Sequence, residues 1–77
     1  MPSMEAVQKF NQAQRDCRWM WQAMRYARLN LTQLQARPAV SQKDLSDAHD
    51  LIQSTKQLYF QAMDRLFVCH DEMMQSR

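Results

Sequence analysis

The sequence predicts an all-α fold in which two long helices fold back on each other as an antiparallel hairpin. Three observations predict it. The 77 residues include no Gly, and of the two Pro only Pro38 stands inside the chain, almost at its midpoint. Gly and Pro punctuate turns and close helices, whereas a sheet protein needs a turn signal roughly every 8–12 residues. In both halves, apolar residues recur at alternating steps of three and four, the period of a helix that buries one stripe.

Helix 1 is expected over about residues 4–36. Ser3 is a good N-cap, and Glu5 in the first turn faces the positive end of the helix dipole. Phe10, Ala13, Cys17, Met20, Met24, Ala27, Leu31 and Leu34 form one unbroken seam. The small residues at 13 and 27 would let a facing helix come close. The helix must end before Pro38, because the residue preceding a proline is pushed out of helical geometry.

A turn at 37–40 then leads into helix 2, expected over about residues 42–75. Ser41 with Asp44 three residues on is a relative of the capping box, and Asp44, Asp47 and Asp50 place negative charge in the first turns. The seam here is Leu45, Ala48, Ile52, Thr55, Tyr59, Ala62, Leu66, Cys69 and Met73. With the turn at 37–40, antiparallel partners have numbers adding to about 78. Cys17 and Cys69 are then about eight residues apart along the axis, or ~12 Å at 1.5 Å per residue. Disulfide geometry needs Cα atoms within ~7 Å, so a bridge within one chain is excluded in this arrangement.

Length and composition bound the rest. Seventy-seven residues, 45% hydrophobic and 23% charged with seven Met, read as one folded domain, 1–77, near the size at which a single core is marginal. The longest uncharged run, Leu29 to Ala36, is far short of the roughly 20 apolar residues of a membrane span. The N-terminal MPSMEAVQKF lacks a basic stretch followed by an apolar one, so no signal peptide is expected. A cytoplasmic protein with reduced cysteines follows.

The charge is unevenly divided. Residues 1–37 carry Lys9, Arg15, Arg18, Arg25, Arg28 and Arg37 against Glu5 and Asp16, a net +4. Residues 38–77 carry Lys43, Lys56, Arg65 and Arg77 against Asp44, Asp47, Asp50, Asp64, Asp71 and Glu72, a net −2. A basic helix beside an acidic one is most simply a pair that attracts itself, within the molecule or across a dimer.

Each helix also has more apolar surface than one seam uses. Phe60, Met63, Phe67 and Met74 form a second line on helix 2, with Leu58 and Val68 beside it. This predicts a homodimer, two hairpins pairing into a four-helix bundle through Leu58, Phe60, Met63, Phe67 and Met74. On helix 1, Trp19, Trp21, Tyr26 and Leu29 lie off the seam. Exposed apolar patches of this kind mark protein interfaces. Arg15, Arg18, Trp19, Arg25, Tyr26 and Leu29 are therefore the expected binding residues for another protein, rich in the Trp, Tyr and Arg that serve as hot spots.

Catalytic chemistry is not expected. Without Gly no GxSxG elbow and no phosphate-cradling loop can form. Cys69 and His70 are adjacent on a helix and point about 100° apart. His49 is far from His70, and no CxxC or HxxxH spacing occurs, so no metal, cofactor or catalytic residue is assigned. Nucleic acid is the second partner class, because Arg15, Arg18, Arg25 and Arg28 interleave with Trp19 and Tyr26, a mixture suited to RNA or single strands. Asp16 interrupts that band, and the chain is only +2 overall without a helix-turn-helix. In size and architecture alone the layout is similar to small co-chaperones of type III secretion needle subunits, to plasmid-encoded RNA-binding hairpin dimers and to phage-encoded inhibitors of host proteins. The expected function is a non-enzymatic module that binds another protein as adaptor, chaperone or inhibitor, with a small nucleic-acid-binding regulator as the alternative.

Overall fold

Two helices, α1 (Met4–Gln35) and α2 (Gln42–Gln75), make up the computed structural model, which describes residues 3–75. Both N-termini close as their sequences dictate. The Ser3 hydroxyl accepts from the Ala6 N–H at 3.1 Å, and the Ser41 hydroxyl accepts from the Asp44 N–H at 3.1 Å. Each cap satisfies one of the amides that a helix start leaves without an intrahelical partner. Helix α1 stops at Gln35, one residue short of the expected 36. The Ala36 N–H bonds back to Thr32, and the Arg37 N–H makes a tighter bond to Leu34, both before Pro38. No described residue has a positive φ, so the helix closes by tightening its last turn rather than by a left-handed cap.

The helices pack side by side as an antiparallel pair in a rod whose Cα envelope measures 59 × 14 × 12 Å. Every expected seam residue of both helices is buried or half-buried, and Ala6 carries the seam of α1 to its start with half-buried Val7 beside it. Cross-helix contacts join Phe10 to His70, with ring centroids 5.6 Å apart, and Asp16 to Arg65 at 3.6 Å. The numbers in these pairs add to slightly more than the 78 expected from the turn. Helical side chains lean toward their own N-terminus, so on each helix the contact falls about one residue beyond the backbone level. Both thiols are free.

The fully buried residues are all small: Ala6, Ala13, Ala27, Ala48, Thr55, Ala62 and Cys69, with Ala13 and Ala27 only 1% exposed. In helix α2 the positions 48, 55, 62 and 69 are small, and the alternate seam positions 45, 52, 59, 66 and 73 are large. The register sets small against large along most of the rod. Ala13 stands level with Leu66, Ala27 with Ile52, Leu31 with Ala48, and Phe10 with Cys69. This lets the axes approach to no more than about 9 Å, taking a Cα radius of about 2.3 Å from each side of the envelope. Thr55 satisfies its buried hydroxyl locally, donating to the carbonyls of Leu51 at 2.8 Å and Ile52 at 3.1 Å.

Because the seam is closed by alanine, enlarging it should be costly. Ala27→Leu keeps helix propensity nearly unchanged but overpacks the contact, and a loss of about 1–3 kcal/mol is expected in urea unfolding followed by circular dichroism. Gln57→Leu on the outer side of α2 should stay within about 0.5 kcal/mol of the parent.

Candidate protein-binding faces

A rod two helices thick has two flanks, and the seven-residue frame decides which side chains share each one. Positions 7, 21 and 28 flank the α1 seam on one side, with 18 and 25 beyond them. Positions 16, 23 and 30 flank it on the other, with 19 and 26 beyond. In an antiparallel pair each flank of α1 adjoins the corresponding flank of α2. Two contacts confirm the sides: Phe10 meets His70 on the first, and Asp16 meets Arg65 on the second.

The first flank carries Trp21 from α1 and Phe60, Met63, Phe67 and Met74 from α2. Phe60 and Phe67 are 53% and 58% exposed. Tyr59 and Phe60 rings lie 6.1 Å apart, and Lys56 sits 5.9 Å over the Phe60 ring. Trp21 lines a depression with Cys17, Arg18, Gln22 and Tyr59 and carries Arg25 at 5.5 Å from its ring centroid. Burial raises the Cys17 thiol pKa, and the neighbouring Asp16 carboxylate adds to the rise. Leu58 does not join this flank. It is seven residues from Leu51 and about half a turn of the helix from Phe67, which places it on the second side.

The second flank centres on Tyr26. Tyr26 lines a groove with Ala23, Ala27, Leu29, Asn30, Gln33, Leu51 and Thr55. The groove exists because Ala23, Ala27 and Thr55 are too small to fill the angle between the helices. Around the outer side of α1, Tyr26 also lines a depression with Arg15, Arg18, Trp19 and Gln22, and another with Gln22, Arg25 and Leu29. Thus the six residues expected to bind a partner form one continuous surface with Tyr26 at its centre. Trp19 and Tyr26 are 72% and 70% exposed. Leu51 belongs to this surface and was missed by the sequence reading. Its seven-residue spacing to Leu58 was the available signal.

Charge departs from the simplest expectation. Among the described residues, one ion pair links the helices, and it has the signs reversed: the acid is Asp16 on the basic helix and the base is Arg65 on the acidic one. No ion pair engages Arg15, Arg18, Arg25 or Arg28 among the described residues. The reason is geometric. Arg15, Arg18 and Arg25 point to the outer side of α1, while Asp50, Asp64 and Asp71 point to the outer side of α2, so the rod separates them. No three His, Cys, Asp or Glu side chains converge among the described residues. No helix is long and apolar enough to cross a membrane.

Compared with known proteins, the chain matches no protein family, no curated protein and no solved structure.

The state of Cys17 can be read directly. A raised thiol pKa leaves less thiolate at pH 8, so iodoacetamide should modify Cys17 more slowly than a thiol in an unfolded peptide, and Asp16→Asn should recover part of the rate. The same shift means that the folded chain holds this proton more tightly. Its contribution to stability is therefore complete at neutral pH and declines as pH rises above about 8.5, where the unfolded thiol ionises first. Cys17→Ala should lessen the fall in melting temperature between about pH 8 and 10.

Proposed function

We propose that this chain is a non-enzymatic protein-binding module, working as an adaptor, chaperone or inhibitor through the surface around Tyr26. The observation that carries this reading is the combination of two large aromatic side chains, Trp19 and Tyr26, left mostly in solvent, with a groove beside them whose floor is Ala23, Ala27 and Thr55. Leaving such rings exposed is unfavourable for an isolated chain, whereas in a complex they supply the anchors that dominate binding energy. Arg15, Arg18 and Arg25 surround them without carboxylate partners of their own. They suit a partner that brings an apolar ridge for the groove and acidic groups for the rim, where charges set orientation and encounter rate.

The competing reading is a nucleic-acid-binding regulator, favoured by the same unpaired arginines. The two readings assign the side chains differently. A protein partner depends on the aromatic anchors, while a polyanion depends on the summed charge of Arg15, Arg18, Arg25 and Arg28.

The tagged protein should retain a stoichiometric partner from nuclease-treated extract of its native host. With that partner purified, Trp19→Ala and Tyr26→Ala should each weaken binding by at least tenfold, with helical content unchanged by circular dichroism. Gln57→Ala should not matter. In parallel, affinity for mixed RNA and duplex DNA should be negligible between about 50 and 200 mM salt. Submicromolar binding that falls steeply over that range and weakens with each of the four arginine substitutions would establish the competing reading instead.

A further inference from the structure

We infer that the flank carrying Trp21, Phe60, Met63, Phe67 and Met74 is covered by a second copy of this chain, with helix α1 of each copy lying along helix α2 of the other. The apolar strip of this flank is distinct from the Tyr26 groove, although Arg18 and Arg25 border both.

The first argument is area. The chain exposes 6146 Å², whereas a compact monomer of 9.2 kDa exposes about 4,900 Å². Its radius of gyration is 17.4 Å against about 11.5 Å for a compact domain of this length. Among the described residues no large side chain is fully buried, so a single hairpin has no interior beyond its seam of small residues. The flank is about 20 Å wide and 50 Å long, on the order of 1,000 Å². A standard interface takes about 800 Å² from each partner. One face-to-face copy therefore supplies the missing burial, and the two stacked layers form a four-helix bundle.

The second argument is charge, and it selects both the occupant and its orientation. Two hairpins can stack flank to flank about a two-fold axis in two ways. With the axis across the rod, α1 lies on α1 and α2 on α2, bringing the two basic helices together. With the axis along the rod, α1 lies on α2 of the other copy, bringing the net +4 half against the net −2 half. Arg18 is then about one helical turn from the level of the second copy's Asp64, and Arg25 about one turn from that of its Asp50, offsets an arginine side chain can span. The chain carries its own complement, which it cannot reach within one rod. Both turns lie at the same end of this dimer, and the arrangement is closed and isologous.

The test combines mass and distance. Light scattering at micromolar concentration should give about 18 kDa, twice the 9.2 kDa chain. Phe67→Asp should give the monomer or an aggregate, because it places a charge in the interface. Gln57→Asp, away from the flank, should leave the mass unchanged. Spin labels on Ala39→Cys in a Cys17→Ala, Cys69→Ala background should lie about 20–30 Å apart across the dimer, given helix axes 8–10 Å apart and flexible label arms. A monomeric parent or a Phe67→Asp protein that stays dimeric would overturn the inference. So would an intermolecular label distance above about 40 Å, close to the 59 Å length of the rod, since the turns would then lie at opposite ends.

Discussion

The rest of this molecule depends on the close contact that small residues allow along one seam. Ala13, Ala27, Ala48 and Ala62 remove the side chains that would otherwise hold the helix axes apart. Most large seam residues then pack beside a small one across the register, and the large ones are half-buried at the edge of the contact. The gain is a stiff and well-defined rod. The consequence is that the seam can enclose nothing larger than Thr55 or Cys69, so every additional apolar side chain is forced onto a flank. Exposed Trp19, Tyr26, Phe60 and Phe67 are therefore a direct result of how the hairpin closes, since a wider spacing would draw some of them inward.

Electrostatics follows the same geometry. Two helices of opposite net charge invite the expectation that each neutralises the other. The close seam instead brings together only the edges of the helices, and their charged outer sides face away from each other. The one pair that crosses the edge among the described residues, Asp16 with Arg65, is partly exposed and contributes at most about 1 kcal/mol. What survives is a rod basic on one side and acidic on the other. That distribution does little for the isolated fold and a good deal for what can approach it, because complementary fields govern orientation and encounter rate more than affinity.

The two flanks differ in ways that suit different occupants. On the first, the apolar residues run in a line along α2 and meet Trp21 from α1, a long flat strip fit for another pair of helices. On the second, Tyr26 overhangs a groove floored by alanine and threonine and ringed by arginine, a shape fit for inserted side chains. The absence of Gly limits backbone freedom along both helices and so helps preorganise both flanks.

The sequence by itself determined the helices, their caps, the turn at Pro38 and the seam residues, apart from Ala6 at the start of α1. These rest on interactions between residues one or two turns apart, and the heptad spacing records them directly. It also contained the small-against-large alternation, legible in residues 48, 55, 62 and 69, although its meaning required the register. Only the tertiary arrangement decided which exposed residues stand together. Leu58 is two residues from Phe60 in the chain and on the opposite flank of the rod, whereas Leu51 joins Tyr26 from the other helix. The pairing of Asp16 with Arg65, against the net charges of their helices, was equally hidden. Net charge is a sum over a segment, but an ion pair depends on which side of the helix each group occupies, and the packing of the second helix settles that.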